Sequence, residues 1–136
     1  MILPKHIKVF GDTSFRGSCP PESAEQATFF NEIRRMYPDS WGLIAVHPRN
    51  EGKKSYNQVM KEKVEGMTTG ASDIIVADFF CELKRQDHTK SSISDDQIIY
   101  LEAVQRCGGF ACIALGYKAA FEAFHEYLCV KTTRNG

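Results

Sequence analysis

The sequence predicts an α/β domain, a three-layer sandwich with helices on both sides of one central mixed sheet. Three observations predict it. Apolar residues recur at helical spacing in several segments, short apolar runs bounded by turn residues lie between them, and the two patterns interleave along the chain. The first helix follows Pro20-Pro21, where proline suits a helix start, and Ser23 with Gln26 offers an alternative capping box. Phe29, Ile33, Met36 and Tyr37 continue its apolar stripe until Pro38-Asp39 ends it. Trp41 to His47 reads as a buried strand, Pro48 to Tyr56 as a polar loop, and Asn57 to Glu65 as a short helix with Gly66 suited to its C-cap. Ser72 to Val76 and Phe79 to Arg85, separated by Ala77-Asp78, read as a hairpin. Ser94-Asp-Asp-Gln97 is a capping box that opens a helix ending at Gly108-Gly109. Phe110 to Leu115 is wholly apolar, as a strand inside a sheet would be, and Tyr117 to Cys129 reads as a last helix.

At 136 residues the chain predicts a single domain spanning 1–136, with its core between about 20 and 129. Seventeen basic residues balance seventeen acidic ones, which argues against a globally basic nucleic-acid binder but not against a local basic patch. No apolar run is long enough to span a membrane, and MILPKHIKVFG lacks a secretory hydrophobic stretch, so a cytoplasmic protein is expected. The five cysteines form no CxxC pair and the four histidines no HxxxH pair, so neither a disulfide framework nor catalytic zinc is expected.

The chemistry concentrates in Ser72–Lys84. With Ala77-Asp78 as a two-residue turn, Val76 opposes Phe79, Ile75 opposes Phe80, Ile74 opposes Cys81, and Asp73 opposes Glu82. Opposed side chains on an antiparallel pair hold their Cβ atoms about 4.5–5.5 Å apart. Lys84 points to the same face as Glu82. Opposed carboxylates need neutralising, either by Lys84 at a solvated hairpin end or by a hard divalent cation such as Mg²⁺. On the first helix, at 100° per residue and with Phe29 at zero, Glu22 falls near about 20°, Ile33 about 40°, Gln26 about 60° and Glu25 about −40°. Glu22 and Gln26 therefore lie within the apolar stripe, where an acid needs a partner, although a dipole-favouring role at the helix start accounts for Glu22 equally well. Gln97 is fully explained by its own capping box, yet its helix begins soon after the strand that carries Lys84. Basic residues cluster on both sides. Arg49, Lys53, Lys54, Lys61 and Lys63 outnumber Glu51 and Glu62, and Lys84, Arg85 and Lys90 outnumber Asp87, as a phosphodiester backbone would require.

Asp73, eight residues, then Glu82-Leu83-Lys84 resembles the PD-(D/E)xK signature of metal-dependent nucleases. More closely, the sequence from Glu22 to Leu128 resembles the virus-type replication-repair nuclease (VRR-NUC) family in its small stand-alone form. The likeness rests on Glu22 with Gln26, His47-Pro-Arg-Asn50, Glu65-Gly66, Gly70 with Asp73, Glu82-Leu-Lys84-Arg85, Ser94 with Gln97, Gly116 and Tyr127-Leu128. Ser72 departs from the pattern, which usually has proline before the metal-binding aspartate.

The resemblance implies a restriction-endonuclease-like sandwich with an αβββαβ core and an extra C-terminal helix. It implies an Mg²⁺- or Mn²⁺-dependent endodeoxyribonuclease. In that reading Asp73, Glu82, Lys84 and Gln97 are catalytic, and Glu22, Asp73, Glu82 and the Leu83 carbonyl hold metal, with Glu25 the alternative helix ligand. Gln26, His47, Arg49, Asn50, Lys53 and Lys54 contact substrate. It further implies homodimers acting on branched or four-way-junction DNA in replication, repair or recombination, in a bacterial cytoplasm or, for a phage protein, that of the host. Phe121, Phe124 and Tyr127 on the last helix offer a dimer face but sit at core spacing. The rival function is a catalytically silent DNA-binding module on the same fold.

Overall fold

The computed structural model describes residues 1–48 and 55–135. In chain order the elements are β1 (Lys8–Phe10), α1 (Glu22–Met36), α2 (Trp41–Ile44), α3 (Tyr56–Val64), β2 (Ile74–Val76) and β3 (Phe79–Lys84). A 3₁₀ turn at His88–Lys90 leads to α4 (Asp95–Arg106), β4 (Phe110–Leu115) and α5 (Tyr117–Asn135). The strands form one mixed sheet in the order β1-β4-β3-β2, in which β4 is parallel to both β1 and β3 and β2 is antiparallel to β3.

Strand alternation assigns each sheet face its layer. Phe79, Cys81 and Leu83 from β3 and Cys112 and Ala114 from β4 bury one face against Phe29, Phe30 and Ile33 of α1 and Phe124 and Tyr127 of α5. Ala111, Ile113 and Leu115 point the other way, toward Leu101 and Val104 of α4. The three-layer α/β architecture expected from the sequence is the one observed. Phe124 and Tyr127 are core residues, and Phe121 stacks on Phe29 with ring centroids 4.5 Å apart.

The hairpin holds the predicted register, with Ile74 opposite Cys81, Ile75 opposite Phe80 and Val76 opposite Phe79. Ala77 takes a positive φ of 53°, as a two-residue hairpin turn demands. Both backbone groups of Asp78 are secured, its N–H on the Tyr127 hydroxyl at 3.3 Å and its carbonyl by Phe110 N–H at 2.8 Å. The α4 capping box also forms as read.

The expectation for Trp41 to His47 is corrected. Instead of a buried strand, the segment begins as the single turn α2, and only Val46 reaches the sheet, through one antiparallel bridge to Ile75. Gly42 explains the difference. Its N–H donates to Tyr37 O, and a Cβ there would sit 2.4 Å from Ile33 O and 2.6 Å from Tyr37 O. The turn therefore docks backbone against backbone on the end of α1, leaving Leu43 and Ile44 exposed and Trp41 packed on Phe124 and Tyr127. The missing strand is replaced at the opposite edge by β1, three residues running parallel to β4.

Candidate active site

The ladder between β2 and β3 stops at Ile74, and one residue beyond it Asp73 comes opposite Glu82. There the Asp73 side chain takes over as ladder partner: its Oδ2 accepts the Leu83 N–H at 2.9 Å. Glu82 and Lys84 alternate with Cys81 and Leu83, so both point to the α4 side of the sheet. The first turn of α4 meets them. Gln97 Nε2 donates to Glu82 Oε1 at 2.9 Å, while Gln97 Oε1 accepts from Ser94 N at 2.9 Å and from Lys84 Nζ at 3.4 Å. Gln97 is thus both the closing member of its capping box and a partner of the strand carboxylate. Gly70 permits this approach, because with φ of 81° it lies so close to α4 that a Cβ would stand 2.5 Å from the Asp96 carbonyl.

Glu82 is almost completely buried, with 1% of its surface exposed, and Lys84 with 4%. The Lys84 ammonium lies 3.5 Å from Glu82 Oε1 and 3.8 Å from Glu22 Oε1. Burial, then the neighbouring Asp73 carboxylate and a hydrogen bond shared with it, push the Glu82 carboxyl up to about 9, against the opposing pull of Lys84. Among the described residues no N–H or O–H donates to its buried Oε2, which faces Asp73. Glu22 is half-exposed at the rim, and burial also raises its carboxyl, partly offset by Lys84. Once all three carboxylates are ionised they outnumber the Lys84 ammonium by two, with the Arg85 charge acting on Glu22 from the side. An orphaned acceptor oxygen beside a second carboxylate, with that excess, fits a hard divalent cation. Among the described residues no three His, Cys, Asp or Glu side chains converge closely enough to ligate one ion together, and the two that face each other here are Asp73 and Glu82.

A solved structure described as a VRR_NUC domain protein is similar to this chain with a TM-score of 0.62 and 17% identity, over 83% of this chain and 90% of the other. The fold is that of a VRR_NUC domain. No family model matches the sequence, and no curated protein does.

Within the VRR_NUC fold, Asp73, Glu82, Leu83, Lys84, Gln97 and Glu22 come together at the carboxyl end of β3. His47 belongs with them, for its Nδ1–H donates to the Asp73 carbonyl at 2.7 Å. Gln26 lies one turn along α1 from Glu22 and is partly buried. Arg49, Asn50, Lys53 and Lys54 lie outside the described residues. Ser72 is fully buried with an unpartnered hydroxyl.

Glu25, the alternative helix ligand, sits elsewhere. It is buried, and its carboxylate accepts from Gln86 Nε2 at 2.9 Å and from the Tyr117 N–H at the start of α5. That is the position of an anion at a helix N-terminus, which gives Glu25 a structural partner away from the carboxylate pair. Sequence reasoning missed Ser91, whose hydroxyl donates to Glu22 Oε1 at 3.3 Å. Its sequence signal was no more than its place in the polar stretch between the Lys84 strand and the Ser94 capping box.

Proposed function

We propose that this chain is a VRR-NUC family nuclease, a divalent-metal-dependent endonuclease that hydrolyses DNA phosphodiester bonds. The observation that carries the reading is the Asp73–Glu82 pair, in which Glu82 is buried with its Oε2 unpartnered and its Oε1 3.5 Å from the Lys84 ammonium. Two facing carboxylates in a sheet cost stability unless something is gained from keeping them. Asp73 and Glu82 would hold Mg²⁺ or Mn²⁺, helped by Glu22 and the Leu83 carbonyl. When bound, the ion polarises the scissile phosphate and lowers the pKa of a water.

The chain's own residues do the rest. Lys84 carries a fixed positive charge on the same face as Glu82, where it orients the attacking water and offsets charge developing on the phosphate. Gln97 holds Glu82 by one oxygen and so keeps the other turned to the site. His47 fixes the Asp73 backbone. Gln26, Arg49, Asn50, Lys53 and Lys54 serve as contacts to the DNA backbone. The substrate class is branched DNA, including four-way junctions, and a homodimer places two sites to nick paired strands in replication, repair or recombination.

The test is a panel of linear, flapped and four-way-junction duplexes. Binding is measured by gel shift in Ca²⁺ and cleavage in Mg²⁺. Junction cleavage faster than linear cleavage supports the reading, equal rates remove the structure selectivity, and binding without cleavage makes the chain a silent DNA-binding module.

A further inference from the structure

Arg85 follows Lys84 directly, and its guanidinium is hydrogen-bonded to backbone at the entry to α1, where its charge also favours the ionised Glu22. Its Nη2 donates to the Cys19 carbonyl, and its Nε to the Pro20 carbonyl at 3.2 Å. These are the two carbonyls just before the Pro21–Glu22 entry to α1. That entry is otherwise weakly held, because the N-cap is Pro21 and no side chain caps the helix. The backbone N–H of Arg85 donates to Ser91 Oγ at 3.0 Å, and the same hydroxyl donates to Glu22 Oε1 at 3.3 Å. One residue on, Gln86 donates to Glu25 at 2.9 Å. Residues 85–91 thus grip the first turn of α1 at its backbone entry and at both of its carboxylates.

We propose that Arg85 and Ser91 are positioning residues that hold the Glu22 carboxylate at the metal site, an assignment that rests on the nuclease reading above. Arg85 sets where the helix begins, and Ser91 sets which way the Glu22 side chain points. Each acts through Glu22 and not on the substrate. Arg85, for all its charge and its place beside Lys84, is spent on backbone carbonyls and is not a phosphate contact. Partners of this kind orient a metal's environment, and their loss typically lowers metal affinity about 10–100-fold.

The experiment measures Mn²⁺ affinity by calorimetry for Arg85→Ala and Ser91→Ala, each alone and combined with Glu22→Gln. Amide hydrogen exchange of residues 19–25 is followed in the metal-free protein. Each single variant is expected to bind Mn²⁺ about tenfold more weakly or worse. Neither should weaken binding further once Glu22→Gln is present, and Arg85→Ala should speed exchange at 19–25. An unchanged affinity, or an equal loss in the Glu22→Gln background, would overturn the proposal, because the residues would then not act through Glu22. Unchanged exchange in Arg85→Ala would overturn it as well, whatever the metal does. If Arg85→Ala does not fold, Ser91→Ala, which removes a single hydroxyl from a loop, decides by the same comparison. A wild-type protein that binds no Mn²⁺ would instead sink the metal reading, and this proposal with it.

Discussion

Burial and the facing Asp73 carboxylate lift the Glu82 carboxyl to about 9 in the metal-free protein. In the unfolded chain the same carboxyl titrates near an ordinary value, so between the two the folded state binds a proton that the unfolded state lacks. Stability without metal must then fall as pH rises through that window, and level off once both states are deprotonated. The proton belongs to the Asp73–Glu82 pair, not to one oxygen. Glu82→Gln removes the titration. Thermal melts in chelator at pH 6 and pH 8.5 should show the wild-type Tm falling more steeply with pH than that of Glu82→Gln. Parallel curves would mean that Glu82 is not titrating in the fold. At this scale much was legible: alternation and a two-residue turn suffice to oppose Asp73 and Glu82 and to align Lys84. Glu25 was not. A helical wheel ranks acids by distance from the apolar stripe, and it cannot see the Tyr117 N–H and Gln86 amide that bury this one.

α4 joins structure to site through its first turn, and two substitutions separate the roles. Ser94→Ala and Gln97→Ala each break the capping box, and each should cost about 1 kcal/mol in denaturant unfolding. Only Gln97→Ala also frees Glu82 Oε1, so only it should lower kcat strongly at saturating DNA. Equal effects on kcat would reduce Gln97 to a cap. Helices with clear caps and the tight hairpin were readable because their signals are local. The Trp41 segment misled because its apolar run suits a strand, while the close fit of Gly42 against the end of α1 is a tertiary fact. β1 escaped notice since Lys8–Phe10 is too short to show a period. The buried, unpartnered Ser72 hydroxyl could not be foreseen either, because burial at the hairpin's approach depends on the layers above it.

For the whole molecule, zero formal charge means that the proposed DNA substrate must be attracted by local contacts. Replacing Arg49, Lys53 and Lys54 together with alanine should weaken binding alike across sequences and flatten the salt dependence by up to about three phosphate contacts, measured in Ca²⁺ over a salt series. The rate at saturating DNA should change little, since none of the three touches the reacting phosphate in this account. An unchanged salt slope would remove these three residues from the DNA-binding surface. Among the described residues no helix is long and apolar enough to cross a membrane. The proposed nuclease activity stands or falls on chemistry at one end of β3. The most direct measurement is nicking of supercoiled plasmid in Mg²⁺, with chelator and with Glu82→Gln as controls. Cleavage by the wild type, abolished by chelator and by Glu82→Gln while the variant stays folded, is the predicted result. Cleavage by Glu82→Gln at the wild-type rate, or none by the wild type with any divalent ion, would contradict it.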